Sequence, residues 1–168
     1  DVDLKEYSEE ELNTLKEMAD YAKDCHFEYW VVCDHSQTAS YAGGLKPEKV
    51  LQQFAEIQLL NQTYQNFKVF KGIESDILGD GSLDYETDLL NQFDVVVASV
   101  HSNLNMDKEK ANQRLIKAIE HPKTRILGHP TGRLLLMRPG YSIDYQLILD
   151  ACFFAFSASA LTFSSASF

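Results

Sequence analysis

The sequence predicts an α/β fold built on a parallel sheet, for three reasons. Helical and strand-like segments alternate in one continuous series. The strand-like segments are unbroken apolar runs, the pattern expected of strands buried on both faces. Four of these runs also end on a metal-ligand type of residue: YWVVCDHS at His35, FKVFKGIE at Glu74, DVVVASVH at His101 and RILGH at His129. In parallel α/β folds the carboxyl ends of the strands form one face, and active sites lie on it. His35, Glu74, His101 and His129 are therefore expected to converge.

The elements follow in order. Ser8 and Glu11 have capping-box spacing, and Leu12, Leu15, Met18, Ala19 and Ala22 recur at helical spacing, so a helix is expected over Ser8–Asp24. A strand Tyr29–Cys33 comes next, then a loop Asp34–Lys46 containing Gly43 and Gly44. Pro47 suits the first turn of a helix Pro47–Asn61, with Val50, Leu51, Phe54, Ile57 and Leu60 on one side. Phe67–Ile73 reads as a strand and Gly79–Ser82 as a turn centred on Asp80–Gly81. A short helix near Tyr85–Gln92 leads into the most apolar strand, Asp94–Val100. Asp107 caps a helix to Glu120, with Ala111, Leu115, Ala118 and Ile119 inward, and Pro122 stops it. Thr124–Leu127 is a short strand, 128–143 a loop, and Asp144 caps a helix near Tyr145–Cys152.

Residues 1–152 read as one domain, without linker or repeat. Residues 153–168 contain only Phe, Ala, Ser, Leu and Thr, a composition unlike the rest. We expect these identities not to reflect a natural sequence; as structure they would add a strand or helix to the same domain.

The formal net charge of −10 does not suit a general nucleic-acid binder, so a polyanionic substrate would need bound cations and local arginines. Cys25, Cys33 and Cys152 form no CxxC and leave one over, so they are expected as reduced core thiols in a cytoplasmic protein. The acidic amino-terminal stretch is not that of a signal peptide, and no run of about 18 apolar residues is present to span a membrane.

Three histidines and a glutamate make a mixed nitrogen–oxygen shell, which suits Zn²⁺, Mn²⁺ or Fe²⁺ and argues against a dedicated Ca²⁺ site. Asp34 and Asp76 lie beside these residues, either fixing imidazole tautomers or standing as solvated loop acids. Asp34 is also a candidate catalytic group. His26 and His121 sit near helix ends and are expected to be solvated or capping. The motif GHPTGR, Gly128–Arg133, places two glycines around a ligand, a hydroxyl and a guanidinium. Gly132 lets the backbone approach a ligand, and Arg133 with Arg138 can clamp a phosphate bidentately, or else both arginines are simply solvated on a surface loop. Ser36 and Ser102 each follow a proposed ligand and would donate to phosphate or cap the next helix. No nucleophile elbow, P-loop or GxGxxG occurs. Cations beside an arginine clamp point to hydrolysis of a phosphate ester.

The stretches VVCDHSQTASYAGGL, FKGIESDILGDGSLDY, VVASVHSNLNM and ILGHPTGRLLLMRPGY resemble the PHP (polymerase and histidinol phosphatase) family. The likeness is closest to the PHP domain at the carboxyl end of bacterial family X DNA polymerases. The resemblance implies a distorted (β/α)7 barrel, TIM-like, holding two or three metal ions, with His35, Glu74, His101 and His129 matching family ligands. It implies phosphate-ester hydrolysis at DNA 3′ ends, with an upstream polymerase domain as partner and no membrane. A small-molecule phosphatase of the histidinol-phosphate type and a non-catalytic metal- or phosphate-binding module are the alternatives. The family opens with an HxH pair and closes with Asp-x-His. This chain has no histidine before His26 and no such pair after Cys152, so an incomplete barrel in a fragment is expected.

Overall fold

A computed structural model describes residues 14–164, with side chains described as far as Ala155 and at Ser157. Five α-helices and four strands alternate among the described residues, with a 3-10 turn at Ser40–Ala42 after the first strand. They are α1 (Leu15–Asp24), β1 (Tyr29–His35), α2 (Pro47–Thr63), β2 (Lys68–Asp76), α3 (Thr87–Leu90), β3 (Val95–Ser99), α4 (Lys108–Ile119), β4 (Thr124–Leu127) and α5 (Tyr145–Ser164). The strands form one parallel sheet in the order β1-β2-β3-β4. A chain that adds each new strand on the same side keeps winding in one direction. With right-handed crossovers its helices then all cover one face. This is barrel-type order, as distinct from the reversed order of a doubly wound sheet. The described residues supply four strands in that order, not a closed seven-unit barrel.

The helix-facing side of the sheet is the core. Val32, Val69, Ile73, Val96 and Ala98 are buried there against Val50, Phe54 and Ile57 of α2 and Ala111, Leu115 and Ala118 of α4. Phe93 packs edge-on against Phe54, their ring centroids 4.8 Å apart. Burial of each such side chain contributes about 1.5–3 kcal/mol of transfer free energy. The other side departs from the expectation of burial on both faces. Tyr29 is 60% exposed and Ile126 51% exposed, and Cys33, four residues on from Tyr29 in β1, is exposed as well. Among the described residues no layer covers this face.

Local boundaries moved for physical reasons. Thr14, not Ser8, caps the described start of α1. Its hydroxyl accepts from Glu17 N at 3.2 Å, and Glu17 Oε2 accepts from Thr14 N at 2.7 Å. The Ser8–Glu11 box lies outside the described residues. At the other end of α1, His26 takes φ +64° and its N–H bonds to Lys23, a left-handed helix stop that matches its expected capping place. Strand β2 runs three residues past the expected Ile73, because Glu74, Ser75 and Asp76 pair with Val97, Ala98 and Ser99 of β3. Helix α3 is only four residues long. Helix α5 continues beyond Cys152 to Ser164, through a stretch that has no Gly or Pro to stop it. The cysteines are not core thiols: Cys25 and Cys33 are exposed and Cys152 half-buried, all three free.

Candidate metal centre

Strand parity builds the centre. Successive residues of a strand point to opposite faces, and partners in a parallel ladder point to the same one. His35 pairs with Glu74, so both project from the open face at the carboxyl end of the sheet. Asp76, two residues on from Glu74, shares that face, and it pairs with Ser99, which His101 follows by two. His129 arrives from the turn after β4.

There the side chains meet. Glu74 Oε1 lies 3.2 Å from His101 Nε2 and 3.3 Å from His129 Nε2, and Glu74 Oε2 lies 3.7 Å from His35 Nδ1. The Nε2 atoms of His101 and His129 stand 3.2 Å apart. Two groups have ligand atoms within 4.8 Å of one another: Glu74 with His101 and His129, and His35 with Asp76 and His101. One carboxylate thus faces imidazoles through both oxygens. His35 Nδ1 is buried without a hydrogen-bond partner, an orphan whose desolvation is costly unless something else binds it. This donor set of imidazole nitrogens and carboxylate oxygens fits a divalent transition-metal ion.

The electrostatics favour that use. Burial pushes the Glu74 carboxyl up, but the adjacent Ser99 hydroxyl and the three imidazoles outweigh it and hold the group below the usual glutamate range. The Ser99 oxygen sits beside that carboxylate outside strict hydrogen-bond geometry. The bond to Asp76 raises His101 above the ordinary histidine value, against the opposing effect of burial.

The backbone is shaped for the same arrangement. Gly128 passes so close to β3 that an added Cβ would lie 2.2 Å from Ser99 Oγ. His129 then turns with φ +20° and Gly132 with φ +59°, and Gly132 N–H donates to the His129 carbonyl at 2.9 Å. The Arg138 Nε donates to the Gly132 carbonyl at 3.0 Å, which folds the rest of the loop back on the motif. Arg133 is exposed beside it.

Other expected residues lie elsewhere. Asp34 takes the opposite parity to His35 and accepts a 2.6 Å bond from Gln53 of α2, so its carboxylate is on the helix side and not in the cluster. Ser36 is fully buried, and its hydroxyl accepts from Asp76 N at 2.9 Å, which gives it a framing place rather than a substrate-facing one. Ser102 is exposed, and its carbonyl accepts from Arg114 at 3.1 Å. His121 accepts from Lys123 N at 3.3 Å near the end of α4, as expected of a capping residue.

Asp76, expected either to fix an imidazole tautomer or to stand as a solvated loop acid, is not solvated: it is only 2% exposed and holds His101 Nδ1 with its Oδ1 at 2.5 Å. Other participants escaped sequence reasoning. Arg114 is also 2% exposed and donates to the carbonyls of Ile77, Leu78, Ser102 and Asn103. It ties together the loops that follow Asp76 and His101, and nothing in its helical context marks it out. Tyr41 stands over the cluster, its ring centroid 6.2 Å from His35 and 6.4 Å from His101.

No family model matches the chain. It is 40% identical over 137 residues to the DNA polymerase/3′-5′ exonuclease PolX of Bacillus subtilis, an alignment covering 82% of this chain and 24% of that protein. It is 29% identical over 102 residues to a probable phosphatase of Caldanaerobacter subterraneus, covering 58% of this chain and 38% of that one. Against a probable phosphatase of Shewanella piezotolerans the figures are 27% over 142 residues, 83% of this chain and 53% of the relative. The chain is thus similar to a polymerase–exonuclease and to several probable phosphatases, and spans between about a quarter and about half of the length of these relatives.

Proposed function

We propose that the chain is a PHP-type, metal-dependent phosphoesterase, acting on DNA 3′ ends beside an attached polymerase domain in the cytoplasm. The observation that carries this reading is Glu74, with one oxygen toward His101 and His129 and the other toward His35. The similarity to PolX supports the DNA-end assignment, and the similarity to phosphatases supports phosphate esters as the substrate class.

In this reading His35, Glu74, His101 and His129 hold two or three ions of Zn²⁺, Mn²⁺ or Fe²⁺. Such ions, when bound, lower the pKa of water and offset charge on phosphoryl oxygens. Glu74 enters ionised, because its neighbours hold it so. Asp76 accepts a hydrogen bond from the Nδ1–H of His101, which leaves Nε2 facing Glu74 with its lone pair free. Arg133 and the terminal nitrogens of Arg138 supply donors for the phosphoryl oxygens. Gly132 does not open that approach as expected: it is buried, and a Cβ there would lie 2.8 Å from the Tyr141 ring and 3.1 Å from Leu104 Cδ2, so it is a packing position. Asp34 has no catalytic part in this scheme.

The net charge of −10 and the phosphatase relatives favour a second reading, a small-molecule phosphatase of the histidinol-phosphate type. Turnover of a recessed DNA 3′ end against an amino-alcohol phosphate separates the two. The first reading expects the DNA to be the better substrate and His129→Ala to abolish its cleavage. Purified protein without a transition metal, and without activity on either substrate when Mn²⁺ or Zn²⁺ is added, would leave only a non-catalytic module.

A further inference from the structure

We propose that Thr38, in the loop after β1, is a positioning residue that fixes the tautomer of His101 through Asp76; the inference deepens the metal-site reading and rests on it. Thr38 Oγ1 lies 2.9 Å from Asp76 Oδ2 and 2.9 Å from Asp84 Oδ2. A hydroxyl has one hydrogen and can donate to only one of them. The Thr38 backbone N–H already donates to Asp84 Oδ2 at 2.8 Å. The hydroxyl hydrogen is therefore better placed on Asp76, whose other oxygen faces His101 Nδ1 at 2.5 Å.

Both carboxylates are deep in the protein, Asp76 2% and Asp84 5% exposed, so each bond they accept is made in a medium of low dielectric. Asp84 is itself held by its neighbours. Its N–H donates to Ser75 Oγ at 3.1 Å, and its carbonyl accepts from Gln37 Nε2 at 2.7 Å. Asp84 thus anchors Thr38, Thr38 aims Asp76, and Asp76 aims His101. The chain crosses the ends of three neighbouring strands and finishes at the Nε2 atom that faces Glu74 and His129. Without the hydroxyl, Asp76 can rotate its carboxylate, and His101 loses the partner that selects an Nδ1–H ring.

Two measurements test this on the intact chain, neither of which needs activity. In the metal-free protein, at a pH where the ring is neutral, ¹⁵N spectra of labelled histidine report the His101 tautomer, assigned with a His101→Gln control. Thr38→Val should convert His101 from the Nδ1–H form to a mixture. Competition with a chelator should show the Mn²⁺ or Zn²⁺ dissociation constant raised about tenfold. Thr38→Ser should keep both properties, and Thr38→Ala, which lacks the hydroxyl but sets no methyl against Asp84, should repeat the valine result. A Thr38→Val protein with wild-type tautomer and wild-type metal affinity overturns the inference, as does a Thr38→Ser protein that behaves like the valine variant. If wild-type protein binds neither metal, the metal-site reading fails, and the inference as a ligand-positioning device fails with it, whereas unchanged tautomer and unchanged binding in Thr38→Val defeat the inference alone.

Discussion

Asp76 Oδ1 and His101 Nδ1 stand 2.5 Å apart, on the same face of the sheet as Glu74, while Asp34 points the other way into Gln53. Two aspartates that look alike in sequence are thus set to different tasks by strand parity. Asp76→Asn should weaken Mn²⁺ or Zn²⁺ binding about 10–100-fold, the usual effect of removing a carboxylate behind a ligating histidine. Asp34→Asn should leave binding within about twofold of wild type. Chelator competition on the two variants checks the contrast, and equal losses would mean the parity argument is wrong.

Glu74 is the residue on which the site depends most. Glu74→Gln keeps the shape and removes the charge that three imidazoles surround. Phosphoesterase activity should fall about 100-fold or more, with a matching loss of bound metal by elemental analysis.

The raised pKa of His101 gives the metal-free protein a pH signature. The native state holds that proton more tightly than the unfolded chain, whose value is near 6.5. The associated stability is fully present below that unfolded value and is lost as pH rises through the higher native one. Glu74 behaves oppositely. Its native value lies below 4.5, so its contribution is present above 4.5 and is lost as pH falls through the native value. Urea midpoints of metal-free wild type and Asp76→Asn, measured from mildly acidic to alkaline pH, should converge as pH rises.

Gly128 offers a packing test. Gly128→Ala sets a methyl group 2.2 Å from Ser99 Oγ and 3.2 Å from Val97 Cγ1. The variant should lose about 1–3 kcal/mol, the usual effect of overpacking. Combining it with Ser99→Ala should recover part of that loss, a coupling that a double-mutant cycle reads directly.

Much of this was legible in the sequence. Helix α4 follows from Asp107 and the spacing of Ala111, Leu115 and Ala118, and β4 falls on Thr124–Leu127 as expected. The four residues at the strand ends were visible because apolar runs ended on them. Parity beyond those ends was less visible. Glu74–Asp76 reads as a loop until β3 is known to pair alongside, and that pairing depends on residues more than twenty positions away. Arg114 and Thr38 were hidden for a related reason. Each acts on groups that only the folded sheet brings near, Arg114 on the carbonyls of two loops and Thr38 on two buried acids.

The pairing of His35 with Glu74 carries one more implication. Slide β1 by a single residue against β2, and Asp34 replaces His35 beside Glu74 while the imidazole is turned toward α2. The apolar run Tyr29–Cys33 could tolerate such a slip better than the chemistry could. A misaligned minority formed during refolding would look native by circular dichroism yet load less metal, so specific metal content is a stricter assay of correct assembly than secondary structure.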